Sequence, residues 1–326
     1  MIYIRNDITD PYFNIAAEEY FLRNSSDEYF LVYINDPSVI IGKHQNAYAE
    51  TKYPFVRKNN IKVVRRISGG GAVWHDYGNM NFAFIKNGKE GELVNFRKYM
   101  QPVLDFLLKL GLDAAFKGKN TLEVKGYKVS GNAEHVYKNR IIHHGTLLFD
   151  TNISMLNEAL KVDPQKYIDR SVKSVRASVA NINEMLGSKM TFNEFSDAFV
   201  NHIISGDTDS KISNINNYDF RQIQLLTENK YSTWDWNFGY SPRYQLNNKA
   251  SIAGSDFIIL LEVEKSIIKK IRISGDLLSP SMMEKVEQEL IGVKHDEKTI
   301  EVILAKFLPN SISEAISIAE LALLFF

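Results

Sequence analysis

The sequence predicts an α+β fold with mixed, largely antiparallel sheets. Strand-like and helix-like segments are interspersed, yet tight turns join many neighbouring strands. That pattern favours hairpins over a doubly wound parallel sheet. A turn-rich stretch late in the chain, residues 239–248, is followed by two strands and then helices, which reads as a second, smaller α+β unit. The length of 326 residues agrees with two domains, because one domain holds roughly 100–200 residues. We place residues 1–245 in the larger domain and residues 246–326 in the smaller.

Asp10-Pro11 starts a helix over residues 12–22, where Phe13, Ala16, Ala17, Tyr20 and Phe21 recur at helical spacing. Residues 30–34 and 39–42 read as strands with Asp36-Pro37 as the turn between them, and residues 61–66 and 82–85 as further strands. A helix over 103–110 ends near Gly111. Short strands at 121–124 and 128–130 flank a tight turn at Gly126, and 141–149 is an apolar strand. Helices follow at 152–161 and 192–204. Residues 205–217 are polar and read as a surface loop. The small unit carries strands at 257–264 and 267–273 and helices at 281–290, 298–307 and 312–326.

Composition excludes several classes. Lys+Arg and Asp+Glu are 39 each, so the basic excess of a dedicated nucleic-acid binder is missing. There is no cysteine, hence no disulfide, no thiolate metal site and no cysteine nucleophile. The N-terminus carries Asp7 and Asp10 and has no apolar core of a signal peptide. No stretch of roughly 18 apolar residues suggests a membrane span. These features agree with a cytoplasmic location.

Three segments could carry chemistry. In Arg65-Arg66-Ile67-Ser68-Gly69-Gly70-Gly71-Ala72-Val73-Trp74-His75-Asp76, three glycines let a ligand approach the backbone, and successive N–H groups can form an anion-binding concavity. A bare triple glycine is equally a flexible hairpin tip. The spacing is neither a P-loop nor a dinucleotide fingerprint. In Gly126-Tyr127-Lys128-Val129-Ser130-Gly131-Asn132-Ala133, a strand lysine facing a cleft could neutralise a carboxylate and a phosphate together; by position alone a solvated surface lysine is the commoner reading. In Arg140–Leu147 the adjacent His143 and His144 point to opposite faces of a strand, so they cannot ligate one ion together. A transition-metal site is not expected, and one of the two histidines faces the pocket or core.

Taken together, these segments resemble the lipoate–protein ligase A family over nearly the whole chain. Asp10-Pro11-x-x-Asn14-Ile15-Ala16-x-Glu18-Glu19 is similar to the family's first helix, and Ile41–Asn46 to its IG-basic-x-QN strand and turn. Arg65–Asp76 with Gly78-Asn79 is similar to the lipoate-binding loop. Gly118-Lys119-Asn120 resembles the G-basic-N turn, Lys128–Ala133 the KxSG[SN]A strand, and His143–Leu148 the HHGTLL strand. Lys173–Arg176 and Val179-x-Asn181 resemble the adenylate-binding loop, and Trp234-x-Trp236-Asn237-Phe238-Gly239 the entry to the C-terminal domain. The family often has glycine near Ser171 and a second basic residue near Ser178; Ser178 removes a potential phosphate partner, whereas Lys173 and Arg176 remain.

The resemblance implies a large catalytic domain like that of biotin ligases and class II synthetases, with a small C-terminal domain. It implies ligation with ATP and lipoate as substrates and Mg2+, passing lipoate through lipoyl-AMP to a lysine of an apo acceptor. Expected acceptors are lipoyl domains of 2-oxoacid dehydrogenase E2 subunits or the glycine-cleavage H protein, with the enzyme a monomer. Arg66, Gly71, Ala72, Val73, Trp74, Asn79, Asn120, Lys128, Lys173 and Arg176 are expected at ATP or the adenylate. Ser68, Gly69, Gly70, Gly71, Lys128 and His144 are expected at lipoate, with Lys128 catalytic. Rival readings are a transferase using a preformed adenylate, a ligand-sensing repressor and a non-catalytic binder of lipoyl domains. The missing cysteine closes the thiol route for a transferase, and the N-terminus leaves no room for a helix-turn-helix module.

Overall fold

The computed structural model of the chain describes residues 1–89, 91, 93–207, 209–252, 254–276, 278–307 and 317–326. In chain order the elements are β1 (Ile2–Asn6), α1 (Pro11–Asn24), β2 (Tyr29–Tyr33), β3 (Ser38–Ile41), α2 (Ala47–Glu50), α3 (Tyr53–Lys58), β4 (Lys62–Arg65), β5 (Val73–His75), β6 (Asn79–Asn87), α4 (Phe96–Lys109), β7 (Ala114–Lys117), β8 (Thr121–Val124), β9 (Tyr127–Tyr137) and β10 (Arg140–Leu148). Then come α5 (Ile153–Ala159), β11 (Tyr167–Asp169), α6 (Phe192–Ser205), β12 (Lys211–Ser213), α7 (Asn217–Leu226), β13 (Tyr244–Ile252), β14 (Ser255–Glu264), β15 (Ile267–Gly275), α8 (Pro280–Leu290), α9 (Glu297–Phe307) and α10 (Ile318–Ala322). Two compact units result: one from Met1–Lys43, Ile61–Asn157 and Ser174–Thr233, the other from His44–Asn60, Glu158–Lys173 and Trp234–Phe326. The fold is α+β with mixed sheets, as the sequence predicts.

The first unit is organised by an eight-stranded sheet of order β12-β1-β2-β6-β10-β9-β8-β7. β1 is parallel to both β12 and β2, and every other pairing is antiparallel. Side chains alternate along each strand. Phe30, Val32, Phe82 and Phe84 therefore bury on one face, with Val103, Phe106 and Leu107 of α4 and Phe195 and Phe199 of α6. The other face of β2 meets α1, where Phe21 packs on Tyr29 with ring centroids 4.6 Å apart. A smaller sheet of order β4-β3-β5 carries the glycine-rich segment between β4 and β5.

The second unit has a four-stranded sheet of order β11-β13-β14-β15. Alternate residues of β14, Phe257, Ile259, Leu261 and Val263, join a core with Val286 and Leu290 of α8, Ile300 and Leu304 of α9, and Leu321 of α10. Among the described residues no helix is long and apolar enough to cross a membrane.

Several expectations need correction. The strands flanking Asp36-Pro37 are present as expected, but they join different sheets, β2 the eight-stranded one and β3 the three-stranded one. α4 starts at Phe96 rather than 103, capped by Asn95, whose side chain accepts from the Lys98 N–H. Pro102 is tolerated inside it because Tyr99, Met100 and Val103 bury on either side. The polar stretch 205–217 contains β12, and 244–248 of the turn-rich stretch belongs to β13. β1, β7, β11 and α7 were not expected, and β9 is far longer than 128–130. Of the helix expected over 312–326, residues 312–316 lie outside the described residues.

Candidate active site

The glycine-rich loop is braced from within by Arg66. Its Nε donates to Ser68 Oγ at 2.9 Å, Nη1 to the Ile40 carbonyl at 3.0 Å, and Nη2 to the Gly69 and Gly71 carbonyls at 2.6 and 2.8 Å. C=O and N–H point in opposite directions across a trans peptide, so the amides of Gly70 and Ala72 are turned away from the guanidinium. The Ala72 N–H is taken by Ser174 Oγ at 2.8 Å. Gly70 holds φ at +90°, a conformation that side chains rarely adopt. Burial pushes the Arg66 pKa down to about 10, against the pull of Glu18 and Tyr33.

A buried polar chain continues from the loop to α1. Ser68 Oγ lies 2.6 Å from His144 Nε2, and His144 Nδ1 lies 2.6 Å from Glu18 Oε2. Glu18 Oε1 also accepts from the Tyr33 hydroxyl at 2.8 Å. The donors order themselves: Arg66 Nε–H to Ser68 Oγ, Ser68 O–H to Nε2, and Nδ1–H to Glu18. Burial first, then the Glu18 charge, raise the Tyr33 phenol well above its ordinary value. Beside this chain, Asn35 Nδ2 sits 2.9 Å from His75 Nδ1. Asn35 is oriented by Asn14, which donates to its carbonyl oxygen at 2.8 Å. His75 therefore carries its proton on Nε2, which is buried with no partner among the described residues. Burial, then the Arg66 charge, push the His75 pKa down to about 3.

Lys128 sits where β8 and β9 lose register. Leu122 pairs with Ser130 but Glu123 with Lys128, so Val129 is an extra residue on β9. Such a bulge re-aims side chains. The Lys128 side chain lies back over Gly131, where a Cβ would come within 3.0 Å of its Cε and Nζ. Its backbone is clamped by a crossing segment: Lys128 N–H donates to the Ser178 carbonyl at 2.9 Å, and Ala180 N–H to the Lys128 carbonyl at 3.3 Å. Residues 174–178 thus form an arch with one foot on Ala72 of the glycine loop and the other on Lys128. The ammonium is half-buried, and among the described residues no carboxylate lies within ion-pair distance. Burial and then the Arg66 charge lower its pKa. A half-buried cation with no carboxylate in ion-pair distance among the described residues is suited to an anionic ligand.

The other expected residues fall into different settings. Val73 pairs with Ile40 in the smaller sheet. The Trp74 indole is buried and donates to Asp76 Oδ2 at 2.8 Å, so only its backbone can meet a ligand. Asn79 Nδ2 is held by Asn81 at 2.8 Å, but its buried Oδ1 has no partner among the described residues. Asn120 latches β9 by donating to the Asn132 carbonyl at 3.0 Å. Lys173 belongs to the second unit, 2.7 Å from Asp169. Arg176 is exposed on the arch. Sequence reasoning gave no role to Glu18 or Asn35, and placed Ser174 in the adenylate-binding loop without a role of its own. Glu18 had one signal: a carboxylate amid the buried Ile15, Phe21 and Leu22 of an apolar helix.

A braced glycine loop and an uncompensated lysine, both held by the 174–178 arch, suit an enzyme that handles a carboxylate or phosphate. Residues 10–204 match the family model of the lipoyl protein ligase A/B catalytic domain, and residues 241–325 that of the bacterial lipoate protein ligase C-terminus. The chain is 39% identical to lipoate–protein ligase LplJ of Bacillus subtilis over 93% of each chain. Among solved structures, lipoate–protein ligase A bound with ATP aligns at TM-score 0.63 and 26% identity, covering 74% of this chain and all of that one. The bipartite lipoate protein ligase of Thermoplasma acidophilum, studied with its E2 lipoyl domain, aligns at TM-score 0.63 and 26% identity, covering 73% and 96%. The chain belongs to the lipoate–protein ligase A family and is a ligase.

Proposed function

We propose that the protein activates lipoate with ATP and transfers the lipoyl group to a lysine of an apo acceptor, salvaging exogenous lipoate. The observation that carries this reading is the unpaired, half-buried ammonium of Lys128, tied through the 174–178 arch to the glycine loop. In the first half-reaction a lipoate carboxylate oxygen attacks the α-phosphorus of ATP. The bond from that phosphorus to the bridging oxygen breaks, and pyrophosphate leaves. In the second, the acceptor amine attacks the acyl carbon, the acyl–oxygen bond breaks, AMP leaves and the amine's proton passes to solvent.

Lys128 holds the carboxylate and α-phosphate together in both steps and offsets the charge that builds between them. Ser68, Gly69, Gly70, Gly71 and His144 line the lipoate site. Arg66, Gly71, Ala72, Val73, Trp74, Asn79, Asn120 and Arg176, all of the first unit, surround the nucleotide, Arg66 by shaping the loop and Trp74 through its backbone. Burying the acyl chain contributes about 0.8 kcal/mol per methylene. Mg2+ enters with the ATP phosphates as part of the substrate.

Residues 1–245 carry this chemistry and residues 246–326 an accessory role. The protein works as a cytoplasmic monomer on apo lipoyl domains of 2-oxoacid dehydrogenase E2 subunits or the glycine-cleavage H protein. The test is lipoate-dependent exchange of labelled pyrophosphate into ATP, with intact mass of the apo acceptors. Pyrophosphate exchange and an added lipoyl mass support the reading; ADP and phosphate, or a requirement for preformed lipoyl-AMP, overturn it.

A further inference from the structure

The four-stranded sheet of the second unit has one covered face and one open face. Phe257, Ile259, Leu261 and Val263 bury beneath helices, while the alternate residues face outwards. Three cross-strand rows result: Lys249–Ile258–Ser274, Asn247–Leu260–Arg272 and Ile168–Gln245–Glu262–Lys270. Ile168, Leu260 and Ile258 are 62, 43 and 37% exposed, although nothing about strand formation requires aliphatic side chains on a solvated face.

Cations surround them. The acids of this face are Asp256, at the end of β14 opposite Ser251, Glu264, at its other end opposite Ile267, and Glu262, which Arg243 and Lys270 already hold, Lys270 at 3.8 Å. Lys249 has no carboxylate within ion-pair distance among the described residues, and Arg272 is largely exposed, 3.9 Å from Glu287. β11 brings Ile168 to this face on the same segment that runs on to Asp169 and Lys173.

We propose that this open face docks the acyl-acceptor protein through a partner surface with acidic groups around a small apolar centre. The inference rests on the ligase reading above, which requires a protein substrate. Ile168, Ile258 and Leu260 supply the apolar contact, and Lys249, Arg272 and Lys270 select and steer the acidic rim.

The full-length chain is tested as Leu260→Asp and as the double variant Lys249→Glu/Arg272→Glu, with a recombinant apo E2 lipoyl domain as acceptor. Lipoate-dependent pyrophosphate exchange should stay within twofold of the parent in both variants. The acceptor KM should rise at least tenfold, with kcat nearly unchanged. For the parent, KM should climb with salt, and the double variant should lose much of that dependence. Leu260→Asp tests the apolar centre; should it misfold, the double variant decides, because its substitutions are on exposed side chains. An unchanged acceptor KM with normal exchange overturns the docking surface. So does a parent that self-associates through this face, seen by light scattering and abolished by Leu260→Asp. Absence of exchange in the parent instead overturns the ligase reading.

Discussion

Replacing Lys128 by alanine removes a half-buried ammonium that no carboxylate within ion-pair distance compensates among the described residues. The fold does not depend on that charge: its pKa is already lowered by burial and by Arg66, so the protein bears a cost to keep it there. Thermal stability of Lys128→Ala should therefore equal or exceed that of the parent. Catalysis should suffer. A unit charge about 4 Å from an anion contributes about 4 kcal/mol at the effective dielectric of a partly buried site. Removing one preorganised group from a transition state typically costs ~10²–10³ in rate, roughly 3–4 kcal/mol. We expect a loss of that order in overall ligation, measured by intact mass. Lys128→Arg should not restore it, because a planar guanidinium cannot take the path of a compact ammonium folded over Gly131. Chemically made lipoyl-AMP separates the half-reactions, and transfer from it should slow as well. Near-parental ligation by a folded Lys128→Ala would refute the reasoning and leave Lys128 an ordinary solvated lysine.

Gly70→Val should cut lipoate affinity at least tenfold with a smaller loss of stability, because φ is +90° at this position; unchanged affinity by calorimetry in a folded variant would remove the loop from the pocket. Lipoate binding should weaken as pH rises through the lowered pKa of Lys128, below the 10.5 of an ordinary lysine, and the alkaline limb should vanish in Lys128→Gln. His75 should make the fold acid-sensitive. Its pKa is about 3 folded against 6.5 unfolded, so the unfolded chain binds the extra proton and stability is full above 6.5 and lost as pH falls towards 3. Denaturant titrations should show that slope reduced in His75→Gln.

Much of the site's scaffold was legible because its signals are local. Asp10-Pro11 opens α1, with the Asp10 side chain accepting from the Tyr12 N–H at 3.0 Å, and the Gly69–Gly71 run announces backbone that needs freedom. What stayed hidden depends on contacts between distant residues. Glu18 matters through His144, 126 positions away, and Ser174 through Ala72, 102 positions away. β12 is a strand only because Met1 and β1 offer it a parallel edge; its sequence is polar and its side chains are exposed. The first turns of α4 were missed for a related reason: Pro102 lies inside the helix, and a helix-breaking residue says nothing about the buried side chains that hold the helix together around it. The make-up of the second unit is hidden for the same reason: His44–Asn60 and Glu158–Lys173 join Trp234–Phe326 through packing alone.

The two cations of the site explain each other. Arg66 and Lys128 both looked like phosphate ligands in the sequence, yet the structure divides the labour. Arg66 spends its planar fork on the carbonyls of Ile40, Gly69 and Gly71 and on Ser68, a set that needs several donors in a fixed plane. A lysine could satisfy only part of it, and the glycine carbonyls would be free to turn. Lys128 makes no such bonds, and its lowered pKa arises partly from the Arg66 charge itself. Two like charges held near one another repel, and an anion placed beside them relieves that repulsion as well as the burial cost. A carboxylate or phosphate bound beside Lys128 would offset both effects, whereas Arg66 is already committed to the loop. Arg66→Lys should accordingly loosen the glycine loop and weaken lipoate binding by calorimetry, and unchanged affinity in a folded variant would refute the bracing role of Arg66.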